Sequence, residues 1–246
     1  MEVHHHPHIE KKTFKEYLLE FFMLFLAVFL GFVAENVREH RVEKNREIEY
    51  IRSLAADLGD DVHNLDSMIA FEQTGIIQLD TLIDLLDDPV LSKQNGDELY
   101  YVARQGPREY PFPFNSRTLD QLKGSGGFLL IRNMEASNKV IKYYNQYSPV
   151  KLLEDNYRLE FDDYKRVAAK IFRPAILRRQ ENSESNIMRS QDNPSLLSYD
   201  ANLLKELGFH VVQMSGSRRS KLRMLRAQKT DAVQLKLYLQ KEYHLK

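Results

Sequence analysis

The chain contains no cysteine in its 246 residues, and its 35 Lys and Arg are balanced by 35 Asp and Glu. Without thiols there are no disulfides, no thiolate nucleophile and no Cys-ligated zinc, and the absence is compatible with either side of a membrane. Without net charge there is no global field to recruit nucleic acid. Equally absent are a nucleophile motif, a spaced metal-ligand set and a cofactor loop, so no catalysis is expected. The run Gly124-Ser125-Gly126-Gly127 is the one stretch that imitates a phosphate loop. It lacks the preceding strand and the following Lys-Ser or Lys-Thr, and reads instead as a helix end in left-handed backbone followed by a new start.

What the chain does have is a long apolar run. Tyr17 to Ala34 reads YLLEFFMLFLAVFLGFVA, with Glu20 its one charge. As a helix rising about 1.5 Å per residue it spans about 27 Å, close to the hydrocarbon thickness of a bilayer. The run exceeds the roughly 7–15 apolar residues of a secretory signal, and Glu35-Asn36-Val37-Arg38-Glu39 follows where small residues would mark cleavage. An uncleaved single-pass anchor in the inner (plasma) membrane is expected. Lys11, Lys12 and Lys15 precede the span and Arg38, Arg41, Lys44 and Arg46 follow it, so Lys and Arg counts alone do not set the orientation. Because long domains translocate largely regardless of charge, the expectation is a cytoplasmic N-terminus and an extracytoplasmic, periplasmic main domain.

Four stretches follow: a His-rich tail over 1–16, the transmembrane helix over 17–34, a charged helical stalk over 35–50 and an α-helical soluble domain over 51–246. In the tail, His4, His5, His6 and His8 are candidate ligands for a divalent metal, since neutral imidazoles bind zinc, nickel or copper. A short tail has no fixed second shell, so the site would be weak, and a plain interfacial tail is the competing reading. No other cofactor is expected.

Beyond the stalk, Ile51, Leu54, Leu58, Val62, Leu65 and Ile69 recur three and four apart, the period of one buried helix face. The pattern continues through Ile76, Leu79, Ile83 and Leu86, with Gly75 a candidate kink and Asp87-Asp88-Pro89 the expected end. Short helices are expected over 97–105 and 116–123, the second capped by the Ser116 hydroxyl. Between them Tyr110-Pro111-Phe112-Pro113-Phe114 alternates aromatics with prolines. Tyr110, Phe112 and Phe114 on so stiff a loop are a candidate binding surface, with plugging of the core the alternative for Phe112 and Phe114. Further helices are expected over 139–147 and 150–180. Glu160, Asp162 and Asp163 read as a solvated face, because adjacent helical positions diverge and no His follows at metal-ligand spacing. The C-terminal part reads as a short helix ending near Gly208, an apolar link over 209–214 and a terminal helix from Ser217. Arg218, Arg219, Lys221, Arg223, Arg226 and Lys229 crowd that helix, while Asp57, Asp60, Asp61, Asp66, Glu72, Asp80, Asp84, Asp87 and Asp88 crowd the first. Pairing between the two accounts for both charge runs without nucleic acid.

Two blocks carry a family resemblance. Glu49-Tyr50-Ile51, Leu54, Asp57-Leu58 and Asp61 form the first. Leu119-Asp120-Gln121-Leu122-Lys123-Gly124-Ser125-Gly126, Leu130-Ile131-Arg132-Asn133 and Ile141-Lys142-Tyr143-Tyr144-Asn145 form the second. Their order and spacing resemble an uncharacterised bacterial family of single-pass membrane proteins with a domain of unknown function. The resemblance implies architecture and location, and supplies no catalytic residues.

The fold expected is all-α: an N-terminal transmembrane helix continuing into a long helix that packs in a helical bundle. Two functions fit. One is a membrane-anchored scaffold or sensor domain that binds a partner protein or small ligand. The other is a homo-oligomer, or an assembly with another membrane protein, whose transmembrane helices form or regulate a conduit. In the first Glu20 reaches the headgroups, and in the second it faces a shared interior.

Overall fold

A computed structural model describes residues 13–124 and 126–245. The His4, His5, His6 and His8 cluster lies outside these residues. The described chain is all-α, with no β-sheet element among them: α1 (Phe14–Asp87), α2 (Pro89–Gln94), α3 (Gly96–Gln105), α4 (Arg117–Gly124), a 3-10 turn (Gly127–Leu130), α5 (Met134–Asn145), α6 (Tyr147–Ile171), α7 (Pro174–Arg179) and α8 (Ala201–Glu242). Two compact units divide at Glu49 and Tyr50.

The first unit is helical from Phe14 onward. Its apolar stretch has a mean hydropathy of 2.3 over eighteen residues, none of them buried within the protein. This is one helix long and apolar enough to cross a membrane. Phe21, Phe25 and Phe29, each four residues apart, stack their rings at 6.4 and 6.2 Å along one face. Glu20 is exposed on the same helix.

The second unit is a bundle built on residues 50–87 of α1 and on α8. The two run antiparallel: Asp66 meets Lys229, Glu72 meets Lys221 and Asp80 meets Ser215, so partners fall in number as α1 advances. The helix passes through Gly75 without breaking. It stops at Asp87, and Asp88 then caps α2 by accepting the Val90 and Leu91 backbone N–H groups at 2.7 and 3.2 Å.

Several boundaries differ from the sequence expectation; α5, expected over 139–147, runs over Met134–Asn145 because Asn133 caps it by accepting the Ala136 N–H at 3.0 Å. Residues 201–242 are one helix, not two joined by a link. An interior glycine costs a helix about 1 kcal/mol, but Leu204, Leu207, Val211 and Met214 before Gly216 and Leu222, Leu225, Leu235 and Leu239 after it are all buried. Burying each such side chain contributes about 1.5–3 kcal/mol, which outweighs Gly208 and Gly216. Helix α6 starts before Pro149, because the N–H groups of a first turn have no intrahelical partner to lose. It ends at Ile171 because Pro174 lies just beyond, where it opens α7 instead.

The start of α4 is capped from another helix. The Ser116 hydroxyl donates to Asp120 Oδ2 at 2.6 Å. It is buried Asp57 on α1 that accepts the Thr118 N–H at 3.0 Å and the Asn115 amide at 3.2 Å, and it pairs with Arg117. One turn along, Asp61 accepts the Asn115 N–H at 3.1 Å and the Tyr143 hydroxyl at 2.8 Å. Burial pushes the Asp61 carboxyl up to about 6, against the pull of those hydrogen bonds. Asp57 and Asp61 thereby join α1 to the start of α4 and, through Tyr143, to α5. The left-handed residue after α4 is Gly126, with φ of 67°.

Side chains form two apolar cores. One joins Ile51 to Met68 of α1 with α4, α5 and Leu225 to Leu239 of α8. The other joins Leu79 to Leu86 with α3, α6, Phe172 and Leu204 to Met214 of α8. Between them on both long helices lie charges.

Candidate functional site

Two neighbouring regions on α6 are candidates, one ionic and closed, the other apolar and open.

The ionic region forms where charged residues interrupt the buried stripes. On α1, Glu72 stands three residues after Ile69 and four before Ile76, a core position. On α8, Arg218 and Lys221 hold such positions between Met214 and Leu225, and on α6 Glu154 and Tyr157 do. Glu72, Glu154, Arg218 and Lys221 are each at most 2% exposed. The Lys221 ammonium sits 3.2 Å from Glu72, 2.8 Å from Glu109 and 3.1 Å from Glu154. Arg218 Nη1 is 3.4 Å from Glu72, and Arg218 Nε donates to the Tyr157 hydroxyl at 3.0 Å. That hydroxyl in turn donates to the Pro107 carbonyl at 3.0 Å.

Space for this knot depends on Gly75. A Cβ there would lie 1.7 Å from Arg218 Nη1, so the guanidinium occupies the volume that any other residue would fill. An isolated buried ion costs several kcal/mol; the ion pairs oppose that cost, while both Glu72 oxygens and both Arg218 Nη atoms make no hydrogen bond among the described residues. Three carboxylates nonetheless face two cations. Burial pushes the Glu109 carboxyl up, and Glu72 and Glu154 push the same way against Lys221. Desolvation lowers the Lys221 ammonium, but Glu72, Glu109 and Glu154 together hold it above the ordinary lysine range. Lys221 thus stays charged and is a poor base. The space bounded by Glu109, Leu153, Tyr157, Ser217, Arg218 and Lys221 has no room for a water molecule. The knot joins three helices and the 107–116 loop; its inner side is closed, and its outer side at Glu109, Glu154 and Tyr157 borders a cavity of about 190 Å³, smaller than the open groove.

The same knot positions the aromatic loop. Glu154 accepts the Phe112 N–H at 2.9 Å, and the Tyr110 carbonyl accepts from Lys221 at 3.3 Å. Phe112 is 3% exposed, so it belongs to the core and not to a binding surface. Phe114 is half-buried and stacks on Tyr147 at 4.6 Å, with Tyr144 edge-on at 5.3 Å. Tyr110 alone of the three is exposed, its ring edge-on to Phe71 at 5.1 Å. Asp162 and Asp163 pair with Lys165 and Arg166 on the surface. Among the described residues no cluster of His, Asp and Glu is arranged to hold a metal.

The open region is a groove of about 420 Å³ between the end of α3, the C-terminal half of α6 and α7. That volume lies in the range of small-ligand sites, about 300–1,000 Å³. Its width is set by two fixed links. The Tyr164 hydroxyl donates to the Ala103 carbonyl at 2.6 Å, tying α6 to α3. Arg104 donates to the Leu177 carbonyl and pairs with Glu181, tying α3 to the end of α7. Between these walls Ala168 and Ala169 leave room where longer side chains would fill it, and Phe161 and Leu177 supply apolar surface over buried Phe172. Arg104, Arg108 and Lys165 line the groove with no acidic residue among its lining.

Comparison of the chain with family models, with curated proteins and with solved structures gave no match. The geometry alone therefore carries the functional reading. The sequence did not single out Arg108 or the groove, which three separated segments assemble. Glu72, Arg218 and Lys221 were visible as charge runs, and the sharper signal was their place on apolar stripes.

Proposed function

We propose that this protein is a non-catalytic, membrane-anchored helical sensor or scaffold domain that takes up a small ligand in the groove of α3, α6 and α7. The anchor is the apolar stretch of α1, with the N-terminus cytoplasmic and the bundle on the extracytoplasmic side of the inner membrane. The observation that carries the binding reading is the groove itself: about 420 Å³, apolar-floored, and walled by side chains already locked by hydrogen bonds. The family resemblance supports the placement. A weak divalent metal at His4, His5, His6 and His8 is a separate proposal for the tail, checked by zinc titration of the full chain against a variant with all four replaced.

The test is ligand-dependent thermal unfolding of the full chain in phosphatidylcholine nanodiscs, run against small apolar anions, cations and neutral compounds. Binding raises the melting temperature by mass action. A stabilising compound whose effect disappears in Ala169→Phe, an exposed position on the groove, is the expected result. Equal stabilisation of Ala169→Phe would place binding elsewhere.

A second reading, the homo-oligomer or membrane-protein assembly with a conduit role, draws on the place of Glu20 within the apolar stretch of α1, since ionisable residues inside membrane segments commonly face a bundle interior or a water-filled path. Mass measurement of the detergent-extracted protein separates the two: a monomer removes this reading. Protease treatment of intact spheroplasts tests the orientation, with digestion of the bundle expected.

A further inference from the structure

The groove's three cations are not equivalent, and their differences define the ligand. Arg104 is committed to the protein, through the Leu177 carbonyl and Glu181. Lys165 is exposed, paired with Asp162 at 2.7 Å and resting over the Phe161 ring at 4.7 Å. Arg108 is half-buried, and no acidic side chain among the described residues pairs with it. A half-buried guanidinium without a counter-ion is an electrostatic opening in a protein that elsewhere answers its buried cations with carboxylates. Next to it lies apolar surface from Phe161, Ala168 and Leu177 that no other segment covers.

We propose that the groove binds a single-chain anionic amphiphile, a carboxylate on an unbranched hydrocarbon chain, with the carboxylate on Arg108 and the chain along Phe161, Ala168 and Leu177. The inference rests on the groove being the binding site and adds the chemical class. Guanidinium and carboxylate match as a two-point hydrogen-bonded pair, and the reduced access of water at a half-buried site strengthens that pair. The apolar floor supplies affinity for the chain without fixing its length. Lys165 stands at the same groove as a second, weaker positive charge. With no acidic residue in the lining, a cationic amphiphile of the same shape is disfavoured, because its ammonium would meet Arg108 without a carboxylate to hold it.

The test uses the full chain in phosphatidylcholine nanodiscs, with empty nanodiscs as the reference, and isothermal titration of octanoate, octanol and octylammonium. Octanoate is expected to bind about tenfold or more tightly than octylammonium, the equivalent of about 1.4 kcal/mol. Arg108→Gln should weaken octanoate by about tenfold and leave octanol unchanged, while Ala169→Phe should abolish binding of both. Lys165→Gln should weaken octanoate by less than Arg108→Gln. Octanoate and octylammonium binding alike, or octanoate indifferent to Arg108→Gln, overturns the anionic class and leaves the groove as a binding site. No binding of any of the three compounds to a chain with wild-type helicity overturns the groove reading as well. Cross-linking from position 169 to a second protein, in that case, would give the face to a protein occupant.

Discussion

Helix α6 presents two surfaces less than three turns apart that solve the same electrostatic problem in opposite ways. At Glu154 and Tyr157 it enters a knot of buried charge in which both cations meet carboxylates and no water fits beside Ser217, Arg218 and Lys221. At Phe161, Tyr164, Ala168 and Ala169 it floors an apolar groove on which Arg108 has no acidic partner. A buried cluster of Glu, Lys, Arg and Tyr invites reading as an active site. Its interlocked pairing argues for a structural role: sliding α8 along α1 by one turn would drive Arg218 and Lys221 into an apolar core, so the knot fixes the register of the two helices. The proposed binding function is placed on the larger, apolar groove.

The largest expected effect strikes the closed surface. Lys221→Met leaves Glu72, Glu109 and Glu154 with Arg218 as their one remaining cation, and should cost about 3–5 kcal/mol in urea unfolding of the full chain. A loss near zero would break the contrast, because it would mean that the carboxylates are hydrated or protonated already. Next comes Gly75→Ala, which must displace the Arg218 guanidinium and should cost about 1–3 kcal/mol. The matched change Gly216→Ala meets nothing within 4 Å and should instead stabilise by about 0.4–1 kcal/mol. Opposite signs from the same substitution in two helices would be the signature of the knot.

The carboxylate excess predicts a pH dependence. Because the folded protein raises the Glu109 carboxyl above its ordinary value of 4.5, the native state holds that proton more firmly than the unfolded chain. The resulting stabilisation is fully present below about pH 4.5 and is lost as pH rises through the raised value. Glu109→Gln should therefore gain stability relative to the wild type on going from acid to neutral pH, measured as the difference between two unfolding series. Smallest of all is Arg108→Gln, which has no ion pair to lose and should change stability by less than about 0.5 kcal/mol. A large loss there would show that Arg108 supports the fold, and would remove it as a ligand contact.

Much of the bundle was legible because apolar periodicity records burial directly. Ile51 to Leu86 set the core face of α1, and Asp87-Asp88-Pro89 set its end. The reading failed where two local signals competed: Gly208 and Gly216 resemble breaks, but the stripe from Leu204 to Leu239 continues through them. Ser116 had the identity and position of a cap, yet Asp57, 61 residues earlier than Thr118, accepts that N–H, and no local rule anticipates a partner from another helix. Phe112 reads from sequence as either core or surface, and only tertiary placement separates it from Tyr110. The groove is less legible still, since Ala103, Arg108, Ala168 and Leu177 are ordinary in their own segments. Their meaning comes from the approach of α3, α6 and α7.

The most direct test is methyl NMR of the full chain in nanodiscs, with alanine methyl groups labelled and octanoate added. Ala103, Ala168 and Ala169 line the groove, while buried Ala55, Ala136 and Ala232 lie away from it and serve as internal references. Saturable shifts confined to Ala103, Ala168 and Ala169 are the predicted result. Shifts at Ala136 and Ala232 with the groove methyls unmoved would contradict the assignment of binding to this surface.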